Sequence, residues 1–186
     1  RLGPLVLTLP YYNPYRLANE ISMLDHLSGG RIEIGLGRGV SPLEAVYFGV
    51  KNVEDSRAIY RESFDILLSA FTSDVLNHHG EHFTYSDIPL WISPLQKPYP
   101  PLWFPSSNEE SIPFTSKHGL NTVLNNTFTK EAIGDLAAKY KVQLEEHRGD
   151  HDRMNGHVAA PKIGLSVKVV LAPSDAEAER IARPAF

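Results

Sequence analysis

Short apolar runs alternate with amphipathic stretches along most of this chain, and this alternation limits the folds that it can form. Each run has the pattern of a buried strand and leads into a stretch whose apolar residues recur at helical spacing. The runs lie at residues 5–9, 32–36, 102–104, 122–124 and 163–171. Strands that each lead into a helix pair in parallel through right-handed crossovers. The sequence therefore predicts an α/β fold with a parallel sheet of about five strand–helix units.

The length of the chain leaves two architectures open. A closed eight-stranded α/β barrel needs about 200 to 250 residues, whereas this chain has 186. The sheet is therefore either an open, doubly wound one that is complete, or the barrel is incomplete. No repeat or linker divides the chain, so we expect one domain over residues 1–186. The chain opens on Arg1 and runs directly into a buried-type strand, which is the pattern of a segment from the middle of a longer protein.

Capping residues mark the ends of the predicted helices. Asn13-Pro14 supplies an N-cap with proline in the first turn, and Gly29-Gly30 ends the helix that follows. Ser174 opens the last helix with a capping box completed by Glu177. Further helices are expected over residues 53–71, 109–118 and 129–147.

Histidine, proline and aromatic residues cluster between residues 77 and 101, which we interpret as an insertion. Short alternating pieces at 82–85 and 90–92 predict one or two strands or a hairpin laid over one end of the main body. His78, His79 and His82 invite a metal-site interpretation. However, Gly80 and the alternation that follows argue against a helix that would align the imidazoles, so no metal site is assigned.

Charge and composition exclude several classes of function. The 18 Lys+Arg and 22 Asp+Glu residues give a net charge of −4 without a basic block, so nucleic acids and anionic membrane surfaces are poor partners. The absence of cysteine excludes disulfides, thiolate catalysis and Cys-ligated metals. The sequence contains neither a run of apolar residues that would span a bilayer nor the pattern of a signal peptide, so we expect a cytoplasmic location.

The second strand runs into a glycine-rich turn that is a first candidate for anion binding. Glycines there let a ligand approach the backbone, and Arg38 could hold an anion at the end of the strand. A dinucleotide-binding motif is a weak interpretation, because the glycines follow a G-x-G-x-G pattern and Asp55 lies at the start of a helix. A tight turn with a surface arginine remains the alternative.

Two further segments could bind an anion. Ser56 and Arg57 begin a predicted helix, where an arginine opposes the helix dipole unless it reaches an anion or is simply solvated. Ser106 and Ser107 lie where a strand ends and a helix begins, and their hydroxyls suit a phosphate. Capping by Ser107 or Asn108 is the alternative there. All three segments follow strands, at the edge where parallel α/β folds bind ligands.

An ordered series of motifs runs along the chain. Its longest segment is LPYYNPYRLANEISMLDHLSGGRIEIGLGRG, at residues 9–39. It continues through Phe48-Gly49-Val50, Asp55-Ser56-Arg57, Gly80-Glu81-His82-Phe83, Pro94-Leu95-Gln96, Pro100-Pro101-Leu102-Trp103, Ser106-Ser107, Glu110-Ser111 and His118-Gly119-Leu120. This series resembles the bacterial luciferase-like family of flavin-dependent monooxygenases. The agreement is dense up to about residue 125 and mainly architectural beyond it.

The resemblance implies a (β/α)8 TIM barrel of the luciferase-like type, represented here by units three to seven of eight with an insertion at 77–101. It implies an FMN-dependent monooxygenase, a homodimer or heterodimer, that oxygenates a small organic substrate with molecular oxygen. A separate flavin reductase would supply the reduced FMN. Matched by position, the residues around the FMN phosphate are Arg38, Ser56, Arg57, Ser106 and Ser107. Leu36 and Gly37 would lie near the flavin.

The family also has a non-prolyl cis peptide bond, which the resemblance places at Leu5-Val6. The chain departs from the family at Asn13, at Pro105-Ser106 and at Pro113, which we expect to distort the helix after the phosphate turn. The segment that carries the family's active-site histidine would precede Arg1, so no catalytic residue is assigned. The alternatives are a deazaflavin-dependent hydride-transfer enzyme of the same fold and a flavin-binding protein without turnover.

Overall fold

A computed structural model describes residues 1–39, 41–50, 53–106, 109–124, 129–166 and 169–184. The strands are β1 (Leu7–Thr8), β2 (Ile34–Gly37), β3 (Val75–His79), β4 (Thr84–Pro89), β5 (Leu102–Ser106), β6 (Asn121–Leu124) and β7 (Ile163–Leu165). The helices are α1 (Pro14–Ser28), α2 (Pro42–Tyr47), α3 (Val53–Thr72), α4 (Ile112–Lys117), α5 (Lys130–Glu146) and α6 (Asp175–Ala182). Short 3₁₀ turns lie at Leu9–Tyr11 and Glu109–Ser111.

The main sheet decides between the two architectures that the length leaves open. Its described strands are all parallel and follow the order β1-β2-β5-β6-β7, which is their order along the chain. A doubly wound sheet reverses its strand order at a switch point. This sheet does not reverse in its described part, so it is built like a portion of a barrel wall.

The core lies between one face of this sheet and the helices packed on it. Ile34, Leu36 and Leu102 project from β2 and β5 into a cluster that includes Leu17 of α1 and Leu67 of α3. A smaller cluster packs α4 and α5 against strand β6. It consists of Ile112, Leu124, Leu136 and Tyr140. An α/β barrel has the same two layers, with the strands on the inside and the helices on the outside.

Alternate strand residues face the opposite side of the sheet, where they line a recess. Gly164 packs there against Val123 and Trp103. Glu33, which is almost fully buried, accepts hydrogen bonds from Trp103 Nε1 at 2.6 Å and from Lys162 Nζ at 2.8 Å. Burial alone would raise the pKa of Glu33, but these two donors and the charges of Lys162 and Arg1 outweigh it and lower the pKa.

The helices form largely where the sequence predicts them, and their caps are confirmed. The Asn13 side chain accepts a hydrogen bond from the Arg16 amide at 2.9 Å, and Gly29 ends α1 in the left-handed conformation with φ 63°. Ser174 Oγ accepts from the Glu177 amide at 3.3 Å at the start of α6. The Leu5–Val6 peptide bond is cis, as the resemblance implies.

Two strand predictions are wrong in extent, and a third segment forms no strand. The first strand covers Leu7–Thr8 rather than 5–9, because Pro10 has no amide hydrogen and the chain turns into a 3₁₀ segment. The last strand ends at Leu165 rather than 171, because that residue pairs with Leu124, where the neighbouring strand β6 ends. Residues 90–92 form no strand, since β4 ends at Pro89.

Pro113 does not distort α4 itself, but the helix predicted over 109–118 begins late. A 3₁₀ turn at Glu109–Ser111 precedes α4, which begins at Ile112, so Pro113 lies in the first helical turn. Amide groups in the first turn have no partner within the helix, so a proline there removes no hydrogen bond.

The segment with clustered histidines forms an antiparallel hairpin of β3 and β4, which α3 anchors. Glu62 of α3 accepts hydrogen bonds from the amides of His82 at 3.0 Å and Phe83 at 2.8 Å, and its Oε1 lies 3.0 Å from His78 Nε2. Burial would raise the pKa of Glu62, but these hydrogen bonds outweigh it and lower the pKa. Within the described ranges, no group of three potential metal ligands comes together.

In the part of the chain that the structure describes, no helix has both the length and the apolar surface needed to cross a membrane.

Candidate anion-binding site

A cleft of about 620 Å³ lies at the carboxyl-terminal edge of the sheet, between α3, the end of β5 and α4. Aromatic side chains form its walls, and arginines from two different elements reach it. Its lining residues are Arg38, Arg57, Tyr60, Arg61, Phe64, Asp65, Phe104, Glu110, Ser111, Phe114 and Met154. This is the edge at which parallel α/β folds bind ligands.

Strand β2 positions Arg38. Ile34 and Leu36 point toward the helices, and Arg38 continues this alternation directly after the strand, so its side chain reaches the cleft. Its Nη1 atom is buried and has no hydrogen-bond partner among the described residues. A buried guanidinium nitrogen without an acceptor is unfavourable, so Arg38 is poised for an anionic ligand.

Helix α3 presents two more arginines to the same cleft. Arg57 and Arg61 are four residues apart and therefore lie on one face of the helix, where like charges repel. Asp65 and Glu110 also line the cleft. Among the ion pairs formed by the described residues, none involves Arg38, Arg57 or Arg61. Three guanidinium groups thus face the cleft, and no carboxylate of the described residues is in contact with them.

The walls of the cleft form a connected set of aromatic rings. The Tyr60 ring lies 6.4 Å from that of Phe104, which lies 5.4 Å from Phe114 in an edge-to-face arrangement. The Tyr60 hydroxyl is buried and, within the described residues, has no hydrogen-bond partner. Burial raises the pKa of Tyr60 well above its ordinary value, so the phenol remains a neutral donor at physiological pH.

Of the serines predicted to surround a phosphate, those that the structure describes lie next to the cleft rather than on its wall. Ser56 is buried at the start of α3, and Ser106 is fully buried in β5. Ser106 Oγ lies 2.7 Å from Thr122 Oγ1, so this pair of hydroxyls links β5 to β6. Ser107 lies outside the described residues. The phosphate contacts of these serines remain predictions.

Leu36 and Gly37 have clear packing roles. The Leu36 side chain is buried in the core on the helix side of the sheet. A Cβ atom on Gly37 would lie 2.6 Å from Val6 Cγ2, so the glycine permits the close approach of Val6, which directly precedes β1. Their proximity to a flavin remains a prediction.

Sequence reasoning missed Tyr60, Arg61 and Ser111 as residues of this cleft. The four-residue spacing of Arg57 and Arg61 was a readable signal, because it places both side chains on one face of a helix. Ser111 lies outside that spacing and enters the cleft through the 3₁₀ turn that precedes α4; its signal was the Glu110-Ser111 motif of the family resemblance.

We compared the chain with protein families and with known sequences. Residues 1–186 match the profile of the luciferase-like monooxygenases. An uncharacterized protein of Sinorhizobium fredii, y4wF, is 34% identical over 189 residues, covering 100% of this chain and 52% of that protein. The oxygenase component of a flavin-dependent trigonelline monooxygenase from Acinetobacter baylyi is 29% identical over 123 residues, covering 65% of this chain and 34% of that protein.

Solved structures show the same fold. The monooxygenase RslO1 of Streptomyces bottropensis superposes with a TM-score of 0.80 at 20% identity, covering 100% of this chain and 54% of that one. The oxygenating constituent of 3,6-diketocamphane monooxygenase from Pseudomonas putida, solved with FMN, gives 0.73 at 22% identity, covering 98% and 52%. An F420-dependent secondary alcohol dehydrogenase gives 0.73 at 16% identity, covering 97% and 53%.

These matches confirm the predicted fold class, a portion of an α/β barrel of the luciferase-like type. The chain spans about half the length of these solved structures and of the Sinorhizobium relative, and about a third of the trigonelline enzyme. With the family profile matched from the first residue to the last, the chain belongs to the luciferase-like monooxygenase family.

Proposed function

We propose that this chain carries the FMN-binding site of a flavin-dependent monooxygenase that oxygenates a small organic substrate with molecular oxygen. The observation that carries the proposal is the meeting of Arg38 and Arg57 in one cleft. They come from different elements, and neither forms an ion pair with any residue that the structure describes. An anionic group that bridges both arginines would neutralise them.

The chemistry of the cleft fits the phosphate end of FMN. A phosphate monoester accepts charge-assisted hydrogen bonds from guanidinium groups, each contributing about 1.5–3 kcal/mol. Arg38 Nη1 offers a buried donor that lacks an acceptor in the described chain. Phe64, Phe104 and Phe114 line the same cleft, and hydrogen bonds beside such apolar walls are stronger than in bulk water. When bound, FMN supplies the redox centre that activates oxygen.

The relatives support a division of labour between two proteins. The trigonelline enzyme is named as an oxygenase component, and the diketocamphane protein as an oxygenating constituent in complex with FMN. We therefore propose that a separate reductase supplies reduced FMN to this protein, which acts as a homodimer or heterodimer.

Ligand titration followed by turnover tests the proposal. The purified protein is titrated with FMN by calorimetry, and reduced FMN is then supplied by a flavin reductase under oxygen with a panel of small organic substrates. We expect saturable FMN binding and an oxygenated product whose added oxygen atom comes from O₂. If FMN fails to bind, the proposed function is wrong. If FMN binds but no substrate is oxygenated, a flavin-binding protein without turnover is supported instead.

One structural observation favours a second candidate, a deazaflavin-dependent oxidoreductase. The F420-dependent dehydrogenase matches this chain with a TM-score equal to that of the FMN-bound monooxygenase. Parallel titrations with FMN and F420 separate the two candidates. Tighter binding of F420 would favour hydride transfer over oxygenation.

A further inference from the structure

The cleft offers more donors to an anion than the two arginines assigned above. Arg61 adds a third guanidinium group, and the Tyr60 hydroxyl adds a neutral donor. Both residues lie on α3, next to Arg57 and across from Arg38. None of these four side chains has a hydrogen-bond or ion-pair role elsewhere among the described residues that would account for its position.

The arrangement is unfavourable in the absence of a ligand. Arg57 and Arg61 carry like charges one helical turn apart on α3, where they repel each other. Arg38 Nη1 and the Tyr60 hydroxyl are buried polar atoms without partners in the described structure. Side chains in such unfavourable positions indicate a ligand that supplies the missing hydrogen-bond acceptors and negative charge.

We propose that Arg61 and the Tyr60 hydroxyl bind the phosphate of the cofactor together with Arg38 and Arg57, and that Arg61 makes the cleft selective for a phosphate monoester. This inference rests on the proposed function, since it assigns further residues to the same site. A monoester has three terminal oxygens and about two negative charges at neutral pH, whereas a diester has two such oxygens and one charge.

The carboxylates of the cleft make hydrogen-bond geometry more important than net charge. Asp65 and Glu110 also line the cleft, so its net positive charge is smaller than that of three guanidinium groups alone. Selectivity between the two esters therefore depends on how many terminal oxygens the donors can engage as well as on charge. Arg61 presents a planar fork of donors. The third terminal oxygen of a monoester can accept hydrogen bonds from this fork, and a diester lacks that oxygen.

A ligand-truncation cycle tests the role of Arg61. Dissociation constants are measured by flavin fluorescence for FMN, for its phosphate methyl ester and for riboflavin, with the wild type, Arg61→Ala and the control Arg16→Ala. Arg16 is an exposed arginine of α1 outside the cleft. Arg61→Ala should weaken FMN binding about tenfold, the methyl ester less, and riboflavin not at all. Arg16→Ala should leave all three unchanged.

Tyr60→Phe provides the second variant. It removes a buried hydroxyl that has no partner among the described residues, so the unliganded protein should melt no lower than the wild type, while FMN binding weakens about threefold. Equal losses for FMN and riboflavin in Arg61→Ala, or unchanged FMN binding in both variants, would overturn the inference. Wild-type protein that does not bind FMN would instead refute the proposed function, so the two failures are distinguishable.

Discussion

The carboxylate of Asp25 on α1 accepts two hydrogen bonds from Gln96, one from its backbone amide at 2.7 Å and one from its side-chain amide at 2.8 Å. Asp25 is fully buried, so these bonds form away from water. They hold the segment between β4 and β5 against α1. The same Gln96 side chain also donates to the Ile32 carbonyl at 2.8 Å, which extends the link to the start of β2.

We predict that Asp25→Asn destabilises the protein by about 1–3 kcal/mol. Asparagine has the same shape but only one acceptor oxygen, so its amide group would face one of the two Gln96 donors. Urea unfolding of the purified protein measures the loss. Asp135→Asn on the exposed face of α5 is the matched control and should change stability by less than about 0.5 kcal/mol.

A second prediction concerns the pH dependence of stability through Glu33. The pKa of this carboxyl is lowered in the folded protein, so its ionised form stabilises the fold above the ordinary carboxyl pKa. That contribution is lost as pH falls through the folded-state pKa. Glu33→Gln should therefore lower the melting temperature at pH 7, and the difference from wild type should shrink as pH falls below about 4.

Thermal melts of both proteins between pH 3 and 8 check this prediction. Glu81→Gln, at an exposed position on the hairpin turn, serves as the control and should show a pH profile that parallels the wild type. A constant difference between wild type and Glu33→Gln across the whole range would show that packing, and not ionisation, accounts for the role of Glu33.

The third prediction concerns Arg38 and Arg57 as ligands of FMN. Arg38→Met and Arg57→Ala should each weaken FMN binding tenfold or more, since a loss of about 1.4 kcal/mol changes affinity by that factor. Methionine keeps the apolar stem of Arg38 but removes a buried donor that lacks a partner in the described structure, so the unliganded variant should melt no lower than wild type.

Calorimetric titration and thermal melts of the same samples check both parts. Arg16→Met is the matched control because it removes an exposed arginine from α1. FMN affinity that is unchanged in both site variants would show that the cleft is not the phosphate site, even if the protein binds FMN elsewhere.

The fourth prediction separates packing from ligand binding at Gly37. Gly37→Ala should destabilise the protein by about 1–3 kcal/mol, because the new methyl group would overlap Val6 Cγ2. Combining it with Val6→Ala should recover part of the stability, because the smaller side chain makes room. Chemical denaturation of the two single variants and the double variant measures the coupling.

Gly134→Ala is the contrasting control for that experiment. Gly134 lies within α5, and a Cβ atom there would meet nothing within 4 Å. Alanine is the better helix former, so this variant should gain up to about 1 kcal/mol. No recovery in the double variant at Gly37 would mean that the glycine is required for a reason other than the contact with Val6.

The sequence alone predicts the helices of this protein better than its strands. Helix ends depend on local capping, so Asn13, Gly29 and Ser174 mark them correctly. Strand ends depend on the neighbouring strand, and the apolar run at 163–171 gives no sign that pairing ceases at Leu165. The order of the sheet could likewise be inferred only through the family resemblance.

The candidate site shows the same division. Arg38 and Arg57 can be identified from their places after a strand and at the start of a helix. The pairing of Ser106 with Thr122 cannot, because it depends on the register between β5 and β6. Tyr60 joins the site only because α3 packs against β5 and brings its ring close to Phe104.

Helix α3 carries Arg57 and Arg61, two of the three arginines of the cleft, on one face and the Glu62 anchor of the hairpin on another. A ligand that orders this helix will therefore also slow the local opening of the hairpin turn. The amide hydrogens of His82 and Phe83, remote in sequence from every residue of the cleft, should then exchange with deuterium more slowly when the cleft is filled. The hairpin thus becomes a spectroscopic reporter of cofactor occupancy.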